Sequence, residues 1–163
     1  MTPEDIERIT TAVDDIRRQE ERLVLPAFAF DDAWAIGTHL VDLARRRDLP
    51  ITIRIVRGEQ VLFHAALPGT SADNDMWAQR KANVVQRFGQ SSYRVGLAHA
   101  RDGADFLDHP WNDGMKYAAH GGSFPATVAG VGVVGSITVS GLPQADDHAL
   151  VVEALEQHLA TRR

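Results

Sequence analysis

The sequence predicts a single domain of the α/β (α+β) class, in which helices cover both faces of a β-sheet. Helical periodicity alternates with short β-branched runs along the 163 residues. The strand candidates carry apolar side chains on both faces, so both faces must be shielded from water. With 44% hydrophobic residues, the chain is long enough for one core and too short for two comfortable ones. We therefore expect one domain spanning residues 1–163.

Composition excludes several classes of function. The chain has no cysteine, which removes disulfides, thiolate metal sites and a cysteine nucleophile. It has no run of eighteen apolar residues, and its N-terminus is polar and acidic, so we expect a soluble cytoplasmic protein that does not bind a membrane. A net charge of −5 argues against nucleic acid as a partner.

Residues 1–21 predict an amphipathic helix with a narrow apolar stripe. Thr2 can cap this helix, and Pro3 suits its first turn. Its apolar residues recur at helical spacing and are Ile6, Ile9, Val13 and Ile16.

A short strand and a second helix are expected next. Residues 22–30 hold an apolar run broken at Pro26, which is typical of an edge or short strand. Asp31 and Asp32 can cap the following helix. Three arginines at 45–47 close that helix, where cations interact favourably with its dipole, so a solvated helix end explains them better than a binding patch.

Residues 51–56 and 60–66 predict a hairpin closed by a tight turn at Gly58. A register closed at this turn places Arg54 opposite Phe63. If Arg54 is buried, it needs an anionic partner or a wet pocket.

A third helix is expected from a cap at Asp73 or Asn74 to about Phe88. Trp77 and Lys81 share its apolar face. The simpler interpretation is that Lys81 packs its methylenes on the core and extends its ammonium to water. The alternative is a cationic anchor for an acidic ligand beside Trp77.

The remaining segments are a short helix to about Ala100, an irregular stretch at 102–115 and a strong amphipathic helix at 144–160. The irregular stretch contains His109 and Trp111. A loop of this length in a compact domain tends to be functional or to pack on a partner subunit.

A glycine-rich segment contains the pattern G-x-G-x-x-G at Gly130, Gly132 and Gly135. A dinucleotide-binding loop needs a helix to begin directly after the last glycine. Here residues 136–140 are β-branched or small and predict more strand. Close packing or a bulge explains these glycines better.

No catalytic set or metal site emerges from residue spacing. The seven histidines form no pair with metal-ligand spacing, and no serine lies in a nucleophile elbow. The catalytic residues stay unknown, and whether the protein is an enzyme stays open. His120 differs from the other histidines because it precedes Gly121 and Gly122, where backbone amides can face a ligand. A structural role in capping the turn is the alternative.

The C-terminal half resembles the haem-degrading domain family, and more narrowly its uncharacterised cytosolic subgroup. The motifs that carry this resemblance are the His-Gly-Gly-Ser-Phe-Pro run at 120–125, the Val-Ser-Gly-Leu-Pro-Gln run at 139–144 and the Asp-Asp-His triplet at 146–148. Similarity extends upstream through Trp77 and the Ser91-Ser92 pair. It covers nearly the whole chain.

The resemblance implies a three-layer profilin-like fold with a five-stranded antiparallel sheet flanked by helices on both faces. It also implies a homo-oligomer, a dimer or a higher ring, in which the first helix could pack on a neighbouring subunit. Members of the family differ in activity, so the family name does not fix a mechanism.

Two functions of different classes follow. In the first, the protein binds a flat anionic small molecule such as haem, and any haem breakdown would use an external reductant. The ligand-binding residues would be His120 as axial group, Gly121 and Gly122 in its turn, Trp77 and Phe124 as walls, and Arg80 or Lys81 as cations. In the second, the protein is a non-enzymatic oligomeric interaction module whose loop at 102–115 docks a protein partner.

Overall fold

The computed structural model describes residues 1–162, which form five α-helices and four strands. The helices are α1 (Pro3–Arg22), α2 (Phe30–Arg47), α3 (Ala72–Phe88), α4 (Ser92–Arg101) and α5 (Gln144–Ala160). The strands are β1 (Thr52–Arg57), β2 (Gln60–Ala66), β3 (Ser123–Val128) and β4 (Gly132–Ser140). Within this part of the chain, no helix has both the length and the apolar character needed to cross a membrane.

The sheet is antiparallel, with strand order β2-β1-β4-β3. The expectation of five strands is wrong, because the described residues form a sheet of four. The predicted strand at 22–30 contributes only a single bridge between Leu25 and Val128. Pro26 follows directly and has no N–H to donate, so the pairing ends there.

The hairpin between β1 and β2 has a register that differs from the predicted one. Arg54 lies opposite His64, and Phe63 lies opposite Ile55. The shift arises because the ladder is irregular between Ile55 and Val56, where an extra residue enters β2.

Helices cover both faces of the sheet, as predicted, but the two faces differ in chemistry. The face under α2 and α5 is apolar and holds the main core, including Ile53, Ile55, Ile137, Val139 and Phe124. The opposite face, under α3, is largely polar, and its residues on β1 and β4 include Thr52, Arg54, Ser136, Thr138 and Ser140. The domain therefore has one apolar layer and one polar layer.

Helix α1 packs on α4 of the same chain through its inner turns. Val13 and Ile16 are buried, whereas Ile6 near the N-terminus is exposed. Glu20 strengthens the contact by accepting from the Ser91 amide and pairing with Arg94. Only the outer part of the predicted stripe is therefore left for a neighbouring subunit.

The glycines of the G-x-G-x-x-G pattern belong to the β3–β4 hairpin. Gly130 and Gly132 have positive φ in and beside the turn. Gly135 lies within β4, where a Cβ atom would collide with the carbonyl oxygen of Val56 on β1. These glycines allow a tight turn and close strand packing, and strand rather than helix follows them.

His148 of α5 is enclosed by three other elements. Its ring is 5% exposed and lies near Tyr93 of α4 and Phe124 of β3. Its Nε2 lies 2.7 Å from Oε1 of Gln19 on α1. Burial lowers the pKa of His148 to about 4.

The buried His148 predicts a loss of stability in mild acid. At this residue the unfolded chain takes up a proton near pH 6.5, whereas the folded chain takes it up only near pH 4. The free energy of unfolding therefore has its full value above pH 6.5 and decreases as the pH falls below 6.5. The loss by pH 4 is about 3 kcal/mol. Urea unfolding between pH 4.5 and 7.5 should show a shallower pH slope for His148→Gln than for the wild type. Identical slopes would contradict the prediction.

Candidate functional site

Three of the predicted ligand-binding side chains meet near the start of α3. The rings of His120 and Trp77 are 5.3 Å apart and meet edge to face. The guanidinium of Arg80 lies 4.3 Å from the centre of the Trp77 ring. Residues three apart on a helix face the same way, which aligns Trp77 with Arg80. These three residues are called the His120 cluster below.

The turn before β3 holds His120 in place. The Ala118 amide donates to the carbonyl of Arg80 on α3, and Gly96 lets α4 approach Ala119. The His120 side chain itself remains exposed. Its pKa is lowered, first by partial burial and then by the positive charge of Lys81, so the imidazole is neutral at pH 7.

Gly121 and Gly122 are buried packing residues. A Cβ on Gly121 would collide with the carbonyl of Gln144, and its amide already donates to Gln144 Oε1 at 3.2 Å. Gly122 has φ +133°, and a Cβ there would lie 2.9 Å from the Lys81 ammonium. Because they lack side chains, Gly121 and Gly122 let the turn pack closely against α3 and α5. The Gly121 amide is already hydrogen-bonded and is not free to face a ligand.

Lys81 forms a buried ion pair with Asp147. The Lys81 side chain is only 4% exposed, and its Nζ lies 2.9 Å from Asp147 Oδ2 and 3.3 Å from the carbonyl oxygen of Val139. The interpretation that Lys81 extends to water is therefore wrong. Burial lowers the pKa of Lys81 and raises that of Asp147, while their contact opposes both shifts.

Two cavities meet at the His120 cluster and share Trp77, His120 and Gln144 as walls. The outer cavity has a volume of about 300 Å³ and is lined by Arg80, α4 and the loop at 104–114. The inner cavity has a volume of about 290 Å³ and reaches Lys81 and Asp147. The cluster thus separates a more apolar space from a more polar one.

Phe124 does not join these residues. Its side chain is 1% exposed and packs in the core on the opposite face of the sheet, and it lines neither cavity. Alternation along β3 turns Phe124 away from Ser123, which faces the polar layer.

Several wall residues were not identified from the sequence. They are Phe106, Leu107, Gln144 and Asp147. The long loop at 102–115 was a usable signal, because it supplies Phe106 and Leu107. Gln144 and Asp147 stand in the motifs that carry the family resemblance, but their spacing in the sequence does not mark them as wall residues. Residues 1–162 contain no group of three or more side chains arranged to hold a metal ion.

Comparison with known proteins identifies relatives along most of the chain. Residues 28–156 match the family described as "Haem degrading protein HbpS-like". A UPF0303 protein of Streptomyces avermitilis is 57% identical over 147 residues, which cover 90% of each chain. A UPF0303 protein of Paraburkholderia xenovorans is 49% identical over 144 residues, covering 88% of this chain and 87% of its own.

Solved structures share the fold. The Ybr137w protein superposes with a TM-score of 0.85 at 27% identity, covering 99% of this chain and 97% of its own. HbpS superposes with a TM-score of 0.64 at 19% identity, covering 81% of this chain and 89% of its own. PduOC, crystallised as a haem complex, superposes with a TM-score of 0.68 at 18% identity, covering 80% of this chain and 94% of its own. The last two likenesses establish the fold alone.

Removing one partner of the buried ion pair should destabilise the protein strongly. Lys81→Met leaves the Asp147 carboxylate buried without its cation, which costs about 3 kcal/mol. Urea denaturation at pH 7 measures this loss, with Lys116→Met at the chain's other, exposed lysine as the matched control. A Lys81→Met protein as stable as the control would show that the pair contributes nothing to stability.

Proposed function

The chain belongs to the HbpS-like haem-degrading protein family, and on this premise we propose that it binds haem or a similar flat anionic ligand at the His120 cluster. The observation that carries the proposal is an exposed, neutral imidazole placed edge-on to Trp77 where two cavities meet. A neutral ring nitrogen is the form that binds a metal centre.

The walls around His120 suit a flat ligand with an anionic group. Trp77, Tyr117 and Phe106 supply aromatic surface to the outer cavity. Arg80 is the cation proposed for this cavity, because Lys81 is already paired with Asp147. Apolar walls with a few oriented polar groups are typical of small-molecule sites.

These residues fit the haem group in chemistry. His120 would hold the iron and Arg80 a propionate, and haem would supply redox chemistry when bound. Each cavity lies at the lower end of the volume range for ligand pockets, about 300 Å³. A ligand smaller than haem is therefore an alternative occupant of the site. That PduOC was crystallised with haem supports haem as the first probe.

A haem titration tests the proposal. Wild-type protein should give a saturable, sharp Soret band, and His120→Ala should lose it while keeping its oligomeric state. His64→Ala, on an exposed strand position, is the matched histidine control and should bind like the wild type. Ascorbate added to the complex separates a binding protein from one that degrades haem, because only degradation bleaches the band. A broad, unsaturable band of equal size in all three proteins would contradict haem binding.

A second candidate function is supported by the exposed loop beside the site. Leu107, Trp111 and Met115 are large apolar side chains, and Trp111 and Met115 are 62% and 77% exposed. Such residues are typical of protein contacts. In this alternative the chain is a non-enzymatic module that self-associates through the loop.

Light scattering after size-exclusion chromatography tests the second candidate. Trp111→Ser should lower the molar mass of the assembly if this loop joins subunits, because truncating an interface aromatic removes much of the binding energy. Trp34→Ser, at the similarly exposed tryptophan of α2, is the control. An unchanged assembly in Trp111→Ser would exclude the loop as the subunit contact.

A further inference from the structure

The polar face of the sheet leaves two buried groups without partners near the β1–β2 hairpin. The Nε of Arg54 and the hydroxyl of Ser136 are buried, and neither has a hydrogen-bond partner among residues 1–162. Within the same range, no carboxylate forms an ion pair with the Arg54 guanidinium. A buried donor of this kind costs free energy unless something outside the chain satisfies it.

The two groups lie on one face of neighbouring strands. Arg54 pairs with Thr138 and Val56 pairs with Ser136, so Arg54 and Ser136 are diagonal neighbours across β1 and β4. Both face the layer occupied by α3, because Arg54 lines a space together with α3 residues such as Asn83.

Two adjoining cavities open at these groups. One has a volume of about 180 Å³ and includes Arg54, and the other has about 260 Å³ and includes Ser136. They share Val56, Gly58 and Gln86 as walls. Neither shares a wall residue with the cavities of the His120 cluster.

The remaining wall groups are amides and one acid. Gln79 and Gln86 of α3 carry side-chain amides, and the amide of Asn83 donates to the carbonyl of Lys116 at 2.8 Å. Glu59, in the hairpin turn, is exposed and lies at the edge. The cation in this space is therefore Arg54, which is half-buried and whose Nε is fully buried.

We propose that this space is a second ligand site, separate from the His120 cluster, which binds a small oxyanion such as a phosphate or carboxylate group through Arg54. The planar guanidinium has five N–H donors arranged to bind two oxygens at once. The Ser136 hydroxyl and the Gln86 amide supply uncharged donors beside it. An oxyanion both neutralises Arg54 and accepts from its free donors, whereas a water molecule accepts a hydrogen bond but carries no charge.

Titration followed by ¹⁵N NMR tests the site, with inorganic phosphate and acetate as probes and chloride at equal ionic strength as the reference. The Nε–Hε resonance of Arg54 should shift and saturate with an oxyanion, and so should the backbone amide resonance of Gly58, which lines both cavities and is the readout shared by all the variants. Arg54→Gln should weaken binding about tenfold or more, since a hydrogen bond to a charged group is lost. Ser136→Ala should weaken it less, and Glu59→Gln should tighten it about twofold by removing a repulsive charge. Arg45→Gln, on an exposed helix end, is the matched control.

The outcomes separate the sources of the ligand. Saturation by phosphate alone assigns a phosphate site, saturation by acetate alone assigns a carboxylate site, and saturation by both supports a general oxyanion site. Equal responses in wild type, Arg54→Gln and Arg45→Gln would overturn the proposal, because the orphaned groups are then satisfied by water. Arg54→Gln removes an unpaired charge from a half-buried side chain, so it should fold, and its thermal midpoint without anion verifies this.

Discussion

The ion pair between Lys81 and Asp147 joins the three elements that build the candidate site. Lys81 comes from α3 and also donates to the carbonyl of Val139 in β4. Asp147 comes from α5 and accepts from the amides of Gly141 and Leu142 in the turn between β4 and α5. Because both charges are buried, the Lys81 ammonium and the Asp147 carboxylate must each keep their hydrogen-bond partners within the protein. The pair therefore fixes how α3, β4 and α5 lie relative to one another.

The polar face of the sheet extends to the ion pair. Ser140 of that face lines the inner cavity together with Lys81 and Asp147, and the hydroxyls of Ser123 and Thr138 lie 2.8 Å apart on the same face. The α2 and α5 side needs no such groups and packs aliphatic side chains closely. Within residues 1–162, both cavities of the His120 cluster and both cavities beside Arg54 and Ser136 touch α3.

The sequence predicted the secondary-structure elements better than it predicted which side chains pack against them. Helix α5 has the predicted bounds, because its periodicity and first-turn acids are local signals. His120 could be proposed as a site residue from the sequence, since a Gly-Gly turn is visible there, and its role stays a prediction. The burial of Lys81 was missed because its partner lies 66 positions away, and the core position of Phe124 depends on which face of β3 meets α5. The fifth strand came from family resemblance, and Pro26 stops it in this chain. Such contacts are set by tertiary structure, which spacing does not encode.

The two adjacent cations of α3 show how packing divides their roles. Lys81 is a compact ammonium, and it donates to Asp147 and to the carbonyl of Val139. Arg80 stacks on Trp77 and uses Nη1 to bind the carbonyl of Gly114. A guanidinium has five donors and tolerates stacking, so Arg80 keeps further donors for a ligand while its plane is held by the indole. The order Arg-Lys at 80 and 81 thus places a structural cation behind His120 and an available cation beside it.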